Sequence, residues 1–308
     1  MVTFMYQTGV VFPGQGSQSV GMLADVINEF PEAKHTLEEA DSVLGFSLSE
    51  IILEGPAELL NSTNNTQPAL VAVEVALWRA LKGRVVADVM AGHSLGEYSA
   101  LVCAGALSFE SALKLVRRRG ELMQIAVPDG VGAMAAILSM EDEAVEKICV
   151  DQAQGQVVQP ANYNSPGQLV IAGNKEAVER AVVACKEAGA RRAMLLPVSG
   201  PFHSALMAPA AEQFSEYLSG FEISSPSIPV LQNASNQLET NVDRIRLNLV
   251  AQIASPVRWT QTVELLADKG VETLVEIGPG KVLTGLNKRI AKNLNNVSVN
   301  SVDAISVL

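Results

Sequence analysis

The chain has 308 residues, 48% apolar and 18% charged, enough for one large domain or two modest ones with a substantial core. Twenty-two basic against thirty-three acidic residues give a formal net charge of −11, which opposes broad nucleic-acid binding. No stretch reaches the ~18–20 uninterrupted apolar residues of a membrane span, and no basic segment precedes an apolar run at the start, so neither a membrane helix nor a signal peptide is expected. Three widely spaced cysteines, Cys103, Cys149 and Cys185, build neither a disulfide framework nor a Cys-based metal cage, which points to a reducing cytoplasm.

Along the chain, short apolar runs alternate with helical patterns, the signature of a wound α/β sheet. Residues 9–12 read as a buried strand stopped by Pro13. Helices are expected at 21–29, 32–44 and 67–81, then a strand at 85–91, a tight turn at 92–96, and helices at 97–104 and 110–126. The middle of the chain changes character. Strand 132–138, helix 141–152, strands 157–163 and 168–172, helix 175–188 and strand 191–196 give the order β-α-β-β-α-β, a ferredoxin-like arrangement. Pro128, Asp129 and Gly130 before it, and Pro197 and Pro201 after it, mark the crossings. The wound pattern then resumes with helices at 205–218, 242–253 and 260–269 and a strand at 273–277. The expectation is a large α/β domain, residues 1–128 and 198–308, interrupted by a ferredoxin-like insert at 129–197.

The strand at 85–91 runs into Gly92, His93, Ser94, Leu95 and Gly96 and then a helix, the strand, G-x-S-x-G, helix context of a nucleophile elbow. A sharp turn there needs small residues at both glycines and exposes the serine at a helix N-terminus, where free N–H groups favour negative charge. The Leu95 N–H, next after the serine, is the natural oxyanion donor. A serine needs a base, and the chain offers three histidines. His35 lies in a polar helical stretch and His93 inside the elbow, so His203, in a turn that opens a helix, is the candidate base by elimination; the bland alternative is a buried histidine satisfied by backbone. Asp129, Asp142 and Asp151 fall in or beside the insert and read as surface residues, so a Ser-His dyad oriented by a carbonyl or amide is expected rather than a full triad.

Arg119 falls on the apolar stripe of the 110–126 helix, among Ala112, Leu115, Val116, Leu122 and Met123. An inward guanidinium requires an anionic or multi-acceptor partner, either a protein carboxylate or a substrate carboxylate. The glycine-rich loop at 14–19 fails as a dinucleotide fingerprint, since Ser19 replaces the third glycine, and is better placed to supply a second oxyanion donor. There is no Walker A motif and no metal-ligand cluster in the sequence.

With these residues in place, the chain resembles the malonyl-CoA:acyl carrier protein transacylases of bacterial fatty-acid synthesis. The likeness runs nearly end to end: FPGQGSQ at 12–18, QPAL at 67–70, GHSLGEYSAL at 92–101, Arg119-Gly120, NSPGQ at 164–168, PFHS at 201–204, the 252–256 segment and EIGPGKVL at 276–283. The resemblance implies an α/β-hydrolase-like domain with a ferredoxin-like insert. It implies Ser94 as the acylated nucleophile, His203 as general base and then acid, and the N–H groups of Gln15 and Leu95 as the oxyanion hole. Arg119 would hold the malonyl carboxylate and Gln252 would orient His203 through its main-chain carbonyl. Asn162 and Gln168 fall in a segment the family places near the cleft.

The implied reaction moves the malonyl group from malonyl-CoA to the phosphopantetheine thiol of holo acyl carrier protein through a malonyl-serine, with no cofactor of its own and no metal. A monomer, without nucleic-acid or membrane partners, is the expected state. Acyl carrier proteins are generally acidic, so a local basic patch drawn from Arg117, Arg118, Arg191, Arg192, Lys281 and Lys288 is the expected dock. Three rivals share the sequence: a polyketide acyltransferase, a serine thioesterase or hydrolase, and a catalytically silent carrier-binding protein. Leu95 and Phe202 resemble the malonyl-selecting pattern of polyketide acyltransferases, and Arg119 argues against a hydrolase of simple monocarboxylic acyl groups.

Overall fold

In the computed structural model, residues 6–128, 130–198 and 200–308 are described; Asp129, a candidate acid and the expected first residue of the insert, lies outside them. The sequence TGVVF opens the fold as strand β1 (Thr8–Phe12), its last four residues buried, and Pro13, which has no N–H to donate, ends it. Helices α1 (Ala24–Glu29), α2 (Pro31–Leu44), α3 (Leu48–Leu53), α4 (Ala57–Asn61) and α5 (Thr63–Leu81) follow. Sixteen of the nineteen residues of α5 are buried, so this helix has no solvent face and runs through the core. It tolerates Pro68 because the Asn64 carbonyl, which loses its helical partner there, accepts Nη1 of Arg117 at 3.0 Å.

Strand β2 (Val89–Gly92) leads into α6 (Gly96–Cys103) and α7 (Phe109–Ile125). The strand expected at 85–91 is therefore shorter. Val86 points to solvent, and the Asp88 carboxylate accepts the N–H groups of Gln7 and Thr8 at 2.9 Å each, closing the start of β1 instead of extending the ladder. The middle segment comprises β3 (Gly132–Leu138), α8 (Asp142–Ala153), β4 (Val158–Ser165), β5 (Gln168–Asn174), α9 (Lys175–Glu187) and β6 (Arg192–Leu195). After a 3-10 turn at Ala205–Met207 come α10 (Ala208–Leu218), the short strands β7 (Val230–Leu231) and β8 (Leu238–Glu239), α11 (Val242–Ala251) and α12 (Trp259–Asp268). Strand β9 (Thr273–Ile277), α13 (Val282–Ile290), β10 (Asn295–Val299) and α14 (Val302–Ser306) complete the chain.

The larger sheet has the order β10-β9-β1-β2-β7-β8 and is parallel except for the β7–β8 hairpin. From β1 the chain builds outward through β2 and β7 on one side and later through β9 and β10 on the other. Such a switch point leaves a crevice beyond the carboxyl ends of the strands, where the loops after β1 and β2 meet. The second sheet has the order β4-β5-β3-β6 with every neighbouring pair antiparallel, which is the ferredoxin-like arrangement. Its strand β4 is also stitched to the segment before α12: the Val257 N–H donates to the Ala161 carbonyl at 2.8 Å, and the Tyr163 N–H to the Val257 carbonyl at 2.9 Å.

Helix α13, which the sequence reading did not place, starts over a buried carboxylate. Glu276, at the end of β9, accepts the Leu283 N–H through Oε1 at 2.9 Å and the Thr284 N–H through Oε2 at 2.7 Å, satisfying two otherwise orphaned donors of the first turn. Replacing it by alanine strands both donors in a dry site. Glu276→Ala is expected to destabilise the protein by about 2–3 kcal/mol, seen as a lower urea midpoint at unchanged m-value, and Glu276→Gln by less.

Candidate active site

Ser94 sits at the carboxyl end of β2 with φ of 50°, in the left-handed region. The turn is this tight because β2 and α6 touch: a methyl group on Gly92 would overlap the Gly96 backbone, and one on Gly96 would overlap the Phe12 carbonyl at the end of β1. The strained serine is pinned from outside the turn. Its N–H donates to Asn233 Oδ1 at 2.7 Å, and Asn233 Nδ2 donates back to the Gly92 carbonyl at 2.8 Å.

His203 also adopts a positive φ, 60°, and its Nε2 lies 2.8 Å from Ser94 Oγ. Its Nδ1 faces two carbonyls, Gln252 at 2.9 Å and Ser255 at 3.2 Å. Carbonyls only accept, so the ring proton resides on Nδ1 and Nε2 is left to take the Ser94 proton. Burial, helped by the Arg119 charge, pushes the His203 pKa down to about 3 against the partial pull of the two carbonyls. The imidazole is therefore neutral near pH 7. The acceptors that orient it are main-chain oxygens; neither Asp142 nor Asp151, both on α8, hydrogen-bonds to it.

Arg119 is 1% exposed. Gly120 beside it lets α7 press onto α5, since a Cβ there would lie 2.8 Å from Asn64 Cα. The guanidinium donates from Nη1 to Gln67 Oε1 at 2.9 Å and from Nη2 to Gln252 Oε1 at 2.9 Å and Ser94 Oγ at 3.1 Å. Its carbon lies 5.6 Å from the centre of the Tyr98 ring, and Nε has no partner among the described residues. No carboxylate hydrogen-bonds to it, so the internal salt bridge admitted by the sequence is absent among the described residues. The charge is held by neutral acceptors, and the group that reaches toward the cavity is Nη2, through Ser94 Oγ.

A cavity of about 770 Å³ opens over Ser94 and His203, bounded by Gln15, Met123, Asn162 and Phe202. Gln15 belongs to the loop after β1, and Leu95 is buried at the start of α6. The main-chain N–H groups of both lack acceptors among the described residues, as oxyanion donors must. His93 Nε2 donates to Asn164 Oδ1 at 2.9 Å and the ring packs on Trp259, while His35 is exposed beside Glu38. Gln168 bonds to Arg289 outside this cavity. No group of three or more His, Cys, Asp or Glu residues able to hold a metal ion occurs among the described residues.

The acyl transferase domain family matches residues 10–303. The chain belongs to this family. It is 53% identical over 304 residues, 98% of each chain, to a malonyl CoA-acyl carrier protein transacylase of Salmonella typhimurium, and 46% identical to that of Bacillus subtilis over 98% of this chain and 96% of the relative. Its fold superposes with a TM-score of 0.96 on an acyl carrier protein S-malonyltransferase of Vibrio cholerae, 55% identical, over 98% of this chain and 99% of that one. A malonyl-transacylase in complex with its type II PKS acyl-carrier protein also superposes at 0.96, with 51% identity and 98% of each chain covered.

Within this acyl transferase the amides that complete the site were not assigned from sequence. Gln67 lay inside a quoted motif without a role; Asn233 comes from a loop whose sequence carries no periodic signal. Glu97 carried a readable flag, an acidic residue three positions after the serine in an otherwise apolar helix.

With the base neutral, acylation needs no deprotonation step in the physiological range. The kcat/KM for acylation is expected to stay flat from about pH 8 down to about pH 5 and to fall only as His203 protonates well below that. Burial pushes the Glu97 carboxyl up to about 7, so an inflection near the ordinary histidine value that persists in Glu97→Gln would mean that a more exposed group supplies the base.

Proposed function

We propose that this acyl transferase loads the malonyl group of malonyl-CoA onto the phosphopantetheine thiol of acyl carrier protein, through a covalent malonyl-serine. The observation that carries the reading is Arg119, a buried cation without a carboxylate partner among the described residues, one hydrogen bond from the nucleophile. A malonyl group differs from an acetyl group by the free carboxylate that such a cation would receive.

His203 Nε2 takes the Ser94 proton as Oγ adds to the thioester carbonyl. The oxyanion is received by the N–H groups of Gln15 and Leu95, at the N-terminus of α6. Collapse expels the CoA sulfur, which leaves as thiol with the proton from His203, and the malonyl ester remains on Ser94. The carrier thiol then gives its proton to His203, attacks the ester, and restores the free serine as malonyl-carrier departs. Nucleophile, base, oxyanion donors and carboxylate partner all come from the chain, so the cycle requires no cofactor.

The cytoplasm, where CoA thioesters are made and cysteines stay reduced, is the compartment this chemistry fits. Among the basic residues named as a docking patch, Arg117 and Arg118 are occupied by Glu121, and Arg117 also by Asn64 and Asn65. Arg191 and Arg192 instead join Arg289 around a second cavity of about 510 Å³, and this cluster is the better dock for an acidic carrier. The likeness to a transacylase bound to a PKS carrier keeps a polyketide carrier as the second reading.

Intact-protein mass spectrometry with malonyl-CoA or acetyl-CoA, followed by holo carrier, tests the proposal. The expected result is a malonyl adduct that is absent in Ser94→Ala and disappears as malonyl-carrier forms. Arg119→Ala should slow malonyl acylation about a hundredfold more than acetyl acylation. An adduct lost to water without malonyl-carrier would indicate a hydrolase.

A further inference from the structure

Two buried amides hold the parts of the site that must not drift, and one carboxylate holds both amides. Glu97 lies in the first turn of α6 and is fully buried. Its Oε2 accepts the Asn233 main-chain N–H at 2.7 Å and Gln252 Nε2 at 3.0 Å. Its Oε1 has no partner among the described residues. Asn233 in turn fixes the elbow through the Ser94 N–H and the Gly92 carbonyl. Gln252 does more. Its Nε2 also donates to the Ser94 carbonyl at 3.0 Å, its Oε1 accepts Arg119 Nη2, and its main-chain oxygen accepts His203 Nδ1.

A side-chain amide has one accepting and one donating end, so its neighbours decide which way it points. Arg119 can only donate. Burial pushes the Glu97 pKa up to about 7, but Oε2 faces two donors, so a proton taken near neutral pH would sit on the unpartnered Oε1 and Oε2 stays an acceptor. The Gln252 side chain spans the two with its oxygen toward the guanidinium and its nitrogen toward Glu97. The reversed amide would oppose two donors at Arg119 and two acceptors at Glu97. Remove the carboxylate, and the nitrogen end keeps only the Ser94 carbonyl, so the amide loses one of the two acceptors that set its orientation and the abutment of the guanidinium is held less firmly. Burying a carboxyl group carries a desolvation penalty that burial of leucine does not, which marks position 97 as doing something a packing residue would not.

We infer that Glu97 is a positioning residue for acyl selection: it locks the Gln252 amide in the orientation that aims Arg119 at the acyl group's carboxylate. The inference rests on malonyl transfer as the reaction. It assigns Glu97 no contact with substrate; its effect passes through Gln252.

The experiment compares kcat/KM for acylation by malonyl-CoA and by acetyl-CoA in the wild type, Glu97→Leu, Glu97→Gln, Gln252→Leu and the Glu97→Leu/Gln252→Leu double variant. A glutamine at 97 still offers a carbonyl to both donors, and leucine offers nothing. Glu97→Leu should shrink the malonyl-to-acetyl preference about tenfold, chiefly through a higher KM for malonyl-CoA, and Glu97→Gln should keep it within about threefold. The double variant should lose no more preference than Gln252→Leu alone, since both act on one element. Should Glu97→Leu fail to fold, Glu97→Asp, which withdraws the oxygen by about 1.5 Å, carries the same expectation.

An unchanged preference in the disrupting variant overturns the inference, as does an equal loss for both acyl groups or a Glu97→Gln variant as impaired as Glu97→Leu. A wild type with no malonyl preference overturns the malonyl reading itself, and this inference with it; a selective wild type with a selective Glu97→Leu overturns the inference alone.

Discussion

A guanidinium with almost no exposure and, among the described residues, no carboxylate at hydrogen-bonding distance is the constraint around which this molecule is arranged. Left alone, such a charge would carry a desolvation penalty of several kcal/mol. It survives because three distant stretches converge on it: Gln67 from the core helix α5, Gln252 from the end of α11, and Ser94 from the elbow. The same charge reaches the base, holding the imidazole neutral where burial already disfavours its cation. One buried cation thus organises the amides around Ser94 and reinforces the neutral state that burial gives the His203 ring.

The two reacting side chains share a second property. Ser94 and His203 both sit at positive φ, a region that costs a non-glycine residue about 1–3 kcal/mol. Each is held there by bonds from outside its own turn: Asn233 grips the serine backbone, and the Gln252 and Ser255 carbonyls hold the histidine ring through Nδ1. The 2.8 Å contact between Oγ and Nε2 is the geometrical product of two strained turns presented to each other across 109 residues of chain.

Ser94, His203 and Arg119 were legible in the sequence because each breaks a local expectation. The serine stands between glycines after a strand, the histidine is what remains when a solvated and an elbow histidine are set aside, and the arginine interrupts an apolar stripe. The ferredoxin-like order was legible for a similar reason, since β3 to β6 alternate with two well-patterned helices. Gln67 and Asn233 were not, because an amide becomes meaningful only through partners that the fold supplies; Glu97 stands out as an acid in an apolar helix, but its partner Asn233 lies 136 residues away. The two-residue strand β7 carries too little pattern to be seen, and α13 follows a glycine-rich turn whose cap, Glu276, belongs to the preceding strand.

Two points of attachment define an axis about which a body can swing, and the crossings on either side of the β3–β6 sheet would by themselves leave the insert such an axis. The ladder between β4 and Val257 adds a third point. It falls in the same stretch whose carbonyls, at Gln252 and Ser255, seat the base. The small sheet is thereby tied to the reacting groups as a tripod is tied to its head. Asn162 of that sheet lines the cavity over Ser94 and His203, so the place of this wall is coupled to the segment that seats the imidazole.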